Sequence, residues 1–173
     1  MRLFVAVWPP PDVVAALAGL PRPVVPGVRW TRREAWHVTL RFLGEVEDPA
    51  PVAAALDRAA LAPASARLGP RLTALGRRVL AVPVAGLDEL AAGVGAPVAS
   101  SSRPGPGDQR AFRGHVTLAR ARRGGDVRPL AGATVQGGWR VDAVELVLSR
   151  PEGRGHRYEV LHRRPLGARP PGA

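Results

Sequence analysis

The chain has no cysteine, no lysine, no isoleucine and no asparagine. Without cysteine it has no disulfide framework, no thiolate metal site and no cysteine nucleophile. Nowhere do roughly 18 apolar residues run uninterrupted, the length a membrane helix needs, so no membrane partner is expected. The apolar opening, 3–8, is cut by Pro9, Pro10 and Pro11 before a signal-peptide core could develop. A cytoplasmic location is therefore expected. Histidine is scarce, with only 4 in 173 residues, so any pattern among them carries weight.

A chain of 173 residues fits one domain, with enough length to bury a core and form a cleft. The net charge of +11 favours an anionic partner, because a basic surface concentrates phosphates around it. That inference is discounted by the composition. All 25 basic residues are arginine, and Ala, Gly, Pro and Val abound, as biased codon usage would produce. Most of these arginines are explained as lysine replacements on a solvated surface.

Periodicity and turn residues give a coarse order of elements. Strands are expected over 2–8, 28–31, 36–43, 68–75, 78–84, 111–119, 133–141, 143–149 and 157–162. Helices are expected over 12–20, with Asp12 as N-cap, over 49–61 and over 87–94, with a helical stretch at 126–131. The serine-, proline- and glycine-rich stretch 100–107 reads as a flexible loop and the tail from about 167 as frayed. One domain over 1–173 is expected.

The tetrapeptide His37-Val38-Thr39-Leu40 recurs as His115-Val116-Thr117-Leu118. On a strand, residues two apart share a face. Trp36, Val38 and Leu40 would then face the core, leaving His37, Thr39 and Arg41 on the other side. In the second copy Arg113, His115 and Thr117 share the open face. Each strand offers an imidazole, a hydroxyl and a guanidinium, the inventory for gripping a phosphate and moving protons around it. One such histidine alone would be read as structural; two with the same partners at the same parity point to catalysis. A zinc site is the rival reading. Neither motif supplies a second ligand, and His156 and His162 lie far along the chain, so neither a metal nor a cofactor is expected.

The motif pair resembles the two-histidine phosphoesterases, marked by two His-x-Thr-x motifs, and within them the RNA 2′,3′-cyclic phosphodiesterases, also called 2′-5′ RNA ligases. The resemblance extends to Arg2-Leu3-Phe4-Val5-Ala6, Val28-Arg29-Trp30 and Leu40-Arg41-Phe42-Leu43-Gly44. Around the second motif it takes in Arg110, Phe112-Arg113 and Ala119-Arg120, and it closes with Tyr158-Glu159-Val160-Leu161 and Pro165-Leu166. Gly114 stands where proline is frequent, Ala81 where an aromatic is usual, and 77–107 is short and divergent.

The resemblance implies an α+β fold of two pseudo-symmetric lobes, each an antiparallel sheet with outer helices, around a central cleft with one motif per lobe. It implies hydrolysis of an RNA 2′,3′-cyclic phosphate to a 2′-phosphomonoester, with His115 accepting a proton from water and His37 donating one to the leaving oxygen. Residue types alone do not assign these two roles. An ordinary imidazole titrates at about pH 6.5, so one can be neutral while another beside a phosphate is protonated. Thr39 and Thr117 would donate hydrogen bonds to phosphate oxygens, and Arg41 and Arg113 would bind the substrate's charge. The expected partner is RNA with a cyclic phosphate end, bound by a monomer, with reverse 2′-5′ ligation open in principle. Two alternatives remain: a related phosphodiesterase for another small cyclic or 2′-5′ linked nucleotide, and an RNA-binding domain without activity.

Overall fold

The computed structural model describes residues 1–98, 111–153 and 155–167, the side chains of 96–98 excepted. Strand β1 (Arg2–Val7) is apolar on both faces, as a strand inside a layered sheet must be. Leu3, Val5 and Val7 enter the main core, while Phe4 and Ala6 join Val147 in a smaller cluster on the opposite face. Antiparallel neighbours flank it: β3 (Val38–Glu45) on one side and β9 (Ala143–Glu152) on the other, with β10 (Gly155–Pro165) beyond β9. These strands form the first lobe.

The second lobe has matching order. Its strand β7 (His115–Ala121) is followed outward by β6 (Val79–Ala85), β4 (Ala64–Leu68) and β8 (Gly137–Val141). Short strands β2 (Val28–Trp30) and β5 (Thr73–Leu75) pair with β7 and β6. The lobes meet where β3 and β7 pair antiparallel through Val38 and Val116. The two-lobed α+β architecture with antiparallel sheets is thus present.

Among the described residues, three α-helices cover one face of this curled sheet. Pro11 occupies the first turn of α1 (Pro11–Ala18), a position where its missing N–H costs nothing. No side chain caps that helix, so the expected Asp12 cap is replaced by proline. Helix α1 packs on β8, α2 (Ala50–Arg58) on β10, and α3 (Asp88–Val98) on α2 and β3. Helices from one half of the chain therefore lean on strands of the other, and one continuous core joins the lobes, from Leu3 and Leu43 to Leu80 and Leu118. A fully buried side chain of that kind contributes roughly 1.5–3 kcal/mol. No polar or charged residue is buried among the described residues.

Several expected boundaries shift. The strand expected over 68–75 is split into β4 and β5 at Gly69, whose φ of 101° only glycine adopts readily and where a Cβ would collide with the Val135 carbonyl. Strand β4 arises in the weakly β-forming Ala64-Ser65-Ala66 because β6 and β8 pair with it on both sides. The helix expected at 126–131 shortens to a 3-10 turn (Arg128–Leu130), fixed by Asp126, which accepts hydrogen bonds from the Arg128 backbone and guanidinium. Residues 111–114 are irregular, and the last sheet strands are longer than expected. The stretch 100–107, Arg110 and the tail after 167 lie outside the described residues.

Candidate active site

Both Val38 and Val116 are fully buried, so the residues beside them along each strand turn to the open face. In an antiparallel pair, directly opposed residues share a face. Thr39 sits opposite Ala6, a member of the smaller cluster on the face away from the main core, while Thr117 and His115 sit opposite Ala81 and Pro83. His37, Thr39, His115 and Thr117 therefore converge on one cleft face around one register pair.

The two imidazoles are held in the same way. Nδ1 of His37 lies 2.8 Å from the carbonyl oxygen of Ala35, and Nδ1 of His115 lies 2.7 Å from that of Arg113. A carbonyl only accepts, so each Nδ1–H donates to the backbone two residues upstream. In the neutral ring this leaves Nε2 as the proton acceptor; in the protonated ring Nε2–H is the donor. Each histidine thus offers one defined nitrogen for proton transfer.

Their surroundings differ. Phe4 stacks on His37 at 4.9 Å between centroids, Tyr158 meets it edge-on at 5.0 Å, and Trp8 lies at 5.1 Å. This aromatic wall strips water from the ring and lowers its pKa to about 4. The Ala35 hydrogen bond opposes this, and the positive charge of Arg120 adds to the lowering, as does that of the His115 ring whenever it is protonated. At neutral pH His37 is uncharged in the empty cleft. Burial also raises the pKa of Tyr158, opposed by the nearby charges of Arg120 and Arg2.

Two β-bulges decide which arginines reach this face. Val5 pairs with Arg41 and Ala6 with Thr39, leaving Leu40 as an extra residue. Arg41 therefore takes the face of Val5, which is the core side. Its guanidinium lies against α3, where a Cβ on Gly95 would stand only 2.8 Å from it. The expected grouping of Arg41 with His37 and Thr39 is not what the register gives. In the second motif Leu80 pairs with Ala119 and Ala81 with Thr117, making Leu118 the extra residue. Beyond it the parity reverses and Arg120 joins the face of Thr117. Arg120 forms no ion pair or hydrogen bond among the described residues, and it affects both His37 and Tyr158 electrostatically. Arg113 is exposed beside His115, and its carbonyl holds that ring.

Thr31 ties the motifs together. Its hydroxyl lies 2.9 Å from the carbonyl oxygens of Thr117 and Leu118, sharing its proton between them, and it accepts a hydrogen bond from the Trp36 indole at 3.0 Å. The residue before His37 is thereby pinned to the bulge beside the second motif. Next to His115, a side chain on Gly114 would collide with the carbonyl of Val84; the chain runs too close there for anything larger.

Arg120, Phe4, Trp8, Tyr158 and Thr31 lie in or against the candidate site, and parity counting did not single them out. Phe4 and Tyr158 belonged to segments carrying the family resemblance, which was their only sequence signal; Arg120 had the same signal but the wrong parity.

The chain is similar to known proteins in sequence and fold. Residues 7–69 match the family model described as LigT like Phosphoesterase. The crystal structure of TT0787 of Thermus thermophilus is 32% identical, with a TM-score of 0.79, and the alignment covers 96% of this chain and 98% of that one. E. coli LigT complexed with NADP+ is 26% identical at a TM-score of 0.74, covering 96% and 98%. E. coli LigT complexed with 3′-AMP shares the fold at 23% identity and a TM-score of 0.76, over 96% and 98%. No curated protein sequence matches the chain.

Proposed function

Given that the chain belongs to the LigT-like, two-histidine phosphoesterases, we propose that it hydrolyses the 2′,3′-cyclic phosphate of an RNA end to a 2′-phosphomonoester. The observation that carries this reading is the matched anchoring of His37 and His115, each by Nδ1 to the carbonyl two residues upstream, on one cleft face.

In the reaction water attacks phosphorus as Nε2 of His115 takes its proton. The new P–O bond forms while the bond from phosphorus to the 3′ oxygen breaks, and Nε2–H of His37 protonates that oxygen. One water is consumed and no group outside the site is needed. Attack and departure occur on opposite sides of phosphorus, so an acid and a base on separate lobes suit the geometry. Thr39 and Thr117 donate hydrogen bonds to the non-bridging oxygens, and Arg120 stabilises the added negative charge. Arg113 is kept as a substrate contact at the exposed rim.

His37 must be protonated to act as the acid, yet it is neutral in the empty cleft. The incoming phosphate resolves this. Its negative charge in a water-poor aromatic pocket favours the imidazolium, so substrate binding is coupled to proton uptake at His37. The binding of NADP+ by LigT supports a nucleotide ligand, since NADP+ carries a ribose 2′-phosphate of the kind proposed as product. With a 5′ hydroxyl end in place of water, the same pair would open the cyclic phosphate to a 2′-5′ diester: His115 takes the hydroxyl proton, the bond from phosphorus to the 3′ oxygen breaks and His37 protonates that oxygen, which is the ligation reaction. The polyanionic partner is RNA, taken up by a monomer in the cytoplasm.

The test is to incubate the protein with an oligonucleotide ending in a 2′,3′-cyclic phosphate and follow phosphorus by NMR. A 2′-monoester signal is expected. An unchanged cyclic phosphate, or a 3′-monoester, would reject the reading.

A further inference from the structure

The cleft face of the first lobe continues past the reaction centre along β9 and β10. Tyr158 pairs with Ser149 and His156 with Pro151, and the next pair inward, Val160 with Val147, reaches the cleft-side cluster of Phe4 and Ala6. Tyr158 and His156 thus project from the same face as the aromatic wall around His37. Their rings are nearly parallel, at 8°, with centroids 6.4 Å apart. Residues two apart on any strand stand about 6.6 Å apart, so the spacing alone is unremarkable. Both rings are also fixed. Tyr158 is held edge-on against Phe4 at 5.3 Å and against His37 at 5.0 Å. His156 is held through Nδ1 by the Ser149 hydroxyl at 3.0 Å. The outer ring is exposed and the inner one half-buried.

We infer that Tyr158 and His156 form a slot that receives the base of the nucleotide carrying the cyclic phosphate. Bases stack at about 3.4 Å, so a ring pair holding one base between them needs about 6.8 Å. The centroid separation of 6.4 Å is the upper limit of the gap between the two planes, a little under that width before anything enters it. Every nucleobase has a π-face, so the slot selects for a base without choosing among bases. Its inner wall is the ring that touches His37, so a base seated there belongs to the nucleoside whose phosphate faces the acid. Because both walls are already fixed by other contacts, little conformational entropy is lost on binding. Ser149 acts here as a positioning residue, orienting the outer wall.

The inference rests on the phosphodiesterase reading above, and the experiment separates the two. Steady-state kinetics of wild type and His156→Ala are compared on adenosine 2′,3′-cyclic phosphate and on methyl riboside 2′,3′-cyclic phosphate, which has no base. On the adenosine substrate His156→Ala should raise KM about tenfold, the loss expected for one stacking partner, with kcat unchanged. On the baseless substrate the two proteins should be alike. His156→Phe should restore the wild-type KM. Equal KM values for wild type and His156→Ala on the adenosine substrate would overturn the slot, as would an equal loss on both substrates. So would a loss found in Phe42→Ala in place of His156→Ala, since Phe42 is an exposed ring 6.2 Å from Phe4. If wild type cleaves neither compound, the phosphodiesterase reading fails and calorimetry with adenosine 2′-monophosphate decides the slot. Tenfold weaker binding by His156→Ala supports it, and equal or absent binding ends it.

Discussion

Val38 and Val116 face one another where β3 meets β7, and this pair is the joint between the lobes at the centre of the site. Neighbouring strands lie about 4.8 Å apart, so side chains flanking the joint come from two adjacent strands, one of each lobe. The joint is short, and Thr31 reinforces it by bonding to the carbonyls of Thr117 and Leu118 while receiving the Trp36 indole. Thr31→Val keeps the shape and removes the hydroxyl, leaving the indole N–H without its acceptor. It should cost about 1–3 kcal/mol of stability by denaturant titration. Because it also frees the segment leading to His37, kcat should fall more than KM rises. A Thr31→Val protein with wild-type stability and kcat would show that the bridge positions nothing.

The bulges at Leu40 and Leu118 exchange the arginines that a simple alternation would choose. Arg120→Ala should lower kcat/KM on a cyclic phosphate by at least about tenfold, because it removes a charge from the face where negative charge develops. Lysine at that position should rescue part of the loss. Arg41→Ala should act mainly on stability, through the packing of β3 against α3. Arg113→Ala should affect KM more than kcat, as a rim contact would. Wild-type kinetics for Arg120→Ala together with a large kcat loss for folded Arg41→Ala would reverse this assignment.

His37 gives the molecule a pH signature. Its pKa is about 4 in the folded protein and about 6.5 in an unfolded chain. Between those values the unfolded state holds a proton that the folded state lacks. Stability is therefore full above about pH 6.5, is lost as pH falls toward 4, and changes no further from this residue below 4. A shift of this size is worth roughly 3 kcal/mol at most. His37→Gln should flatten that part of the stability profile. In an NMR titration the His37 ring should have its midpoint near 4, moving upward when phosphate is added or when Phe4→Ser admits water. A midpoint of 6.5 in the empty wild-type protein would remove the basis for substrate-coupled protonation.

The sequence carried much of this site, but in a form that strand alternation decodes only in part. The repeated tetrapeptide singled out His37, Thr39, His115 and Thr117 as candidates, and alternation placed all of them on the face opposite Trp36, Val38, Val116 and Leu118. It failed just past each motif, because a bulge inserts one residue without a sequence mark and inverts the faces thereafter. That is why Arg41 turned away and Arg120 turned in. Strand β4 was missed because its pairing on two sides, and not its own residues, makes it a strand. The aromatic wall joins Phe4 to Tyr158 across sheet neighbours far apart in sequence. Such proximity is a property of topology.

Among the described residues no group of three His, Asp or Glu side chains comes together in a way that could hold a metal ion, and the proposed proton transfers use imidazoles alone. Hydrolysis should therefore withstand exhaustive EDTA treatment. Loss on chelation with recovery on adding zinc or manganese would mean that the two-histidine scheme is incomplete.

The most demanding test concerns the two histidines as a unit. If His37 and His115 serve one phosphate, the rate should be bell-shaped in pH. The His37 limb should lie near pH 4 in kcat/KM, which reports the free enzyme, and higher in kcat, which reports the complex in which phosphate has raised the pKa. Each His→Ala change should lower the rate by about 10²–10⁴-fold. Each should also erase one limb of the bell. The double variant should fall far short of the product of the two losses, because removing either partner already disables the proton relay. Both side chains lie on the cleft face, outside the main core, so circular dichroism should show both single variants folded. A scheme with one catalytic and one structural histidine predicts something else: one single variant with near-normal turnover and both limbs, and losses that multiply. A folded His115→Ala protein that retains near-normal turnover would rule out acid–base pairing across the Val38–Val116 joint.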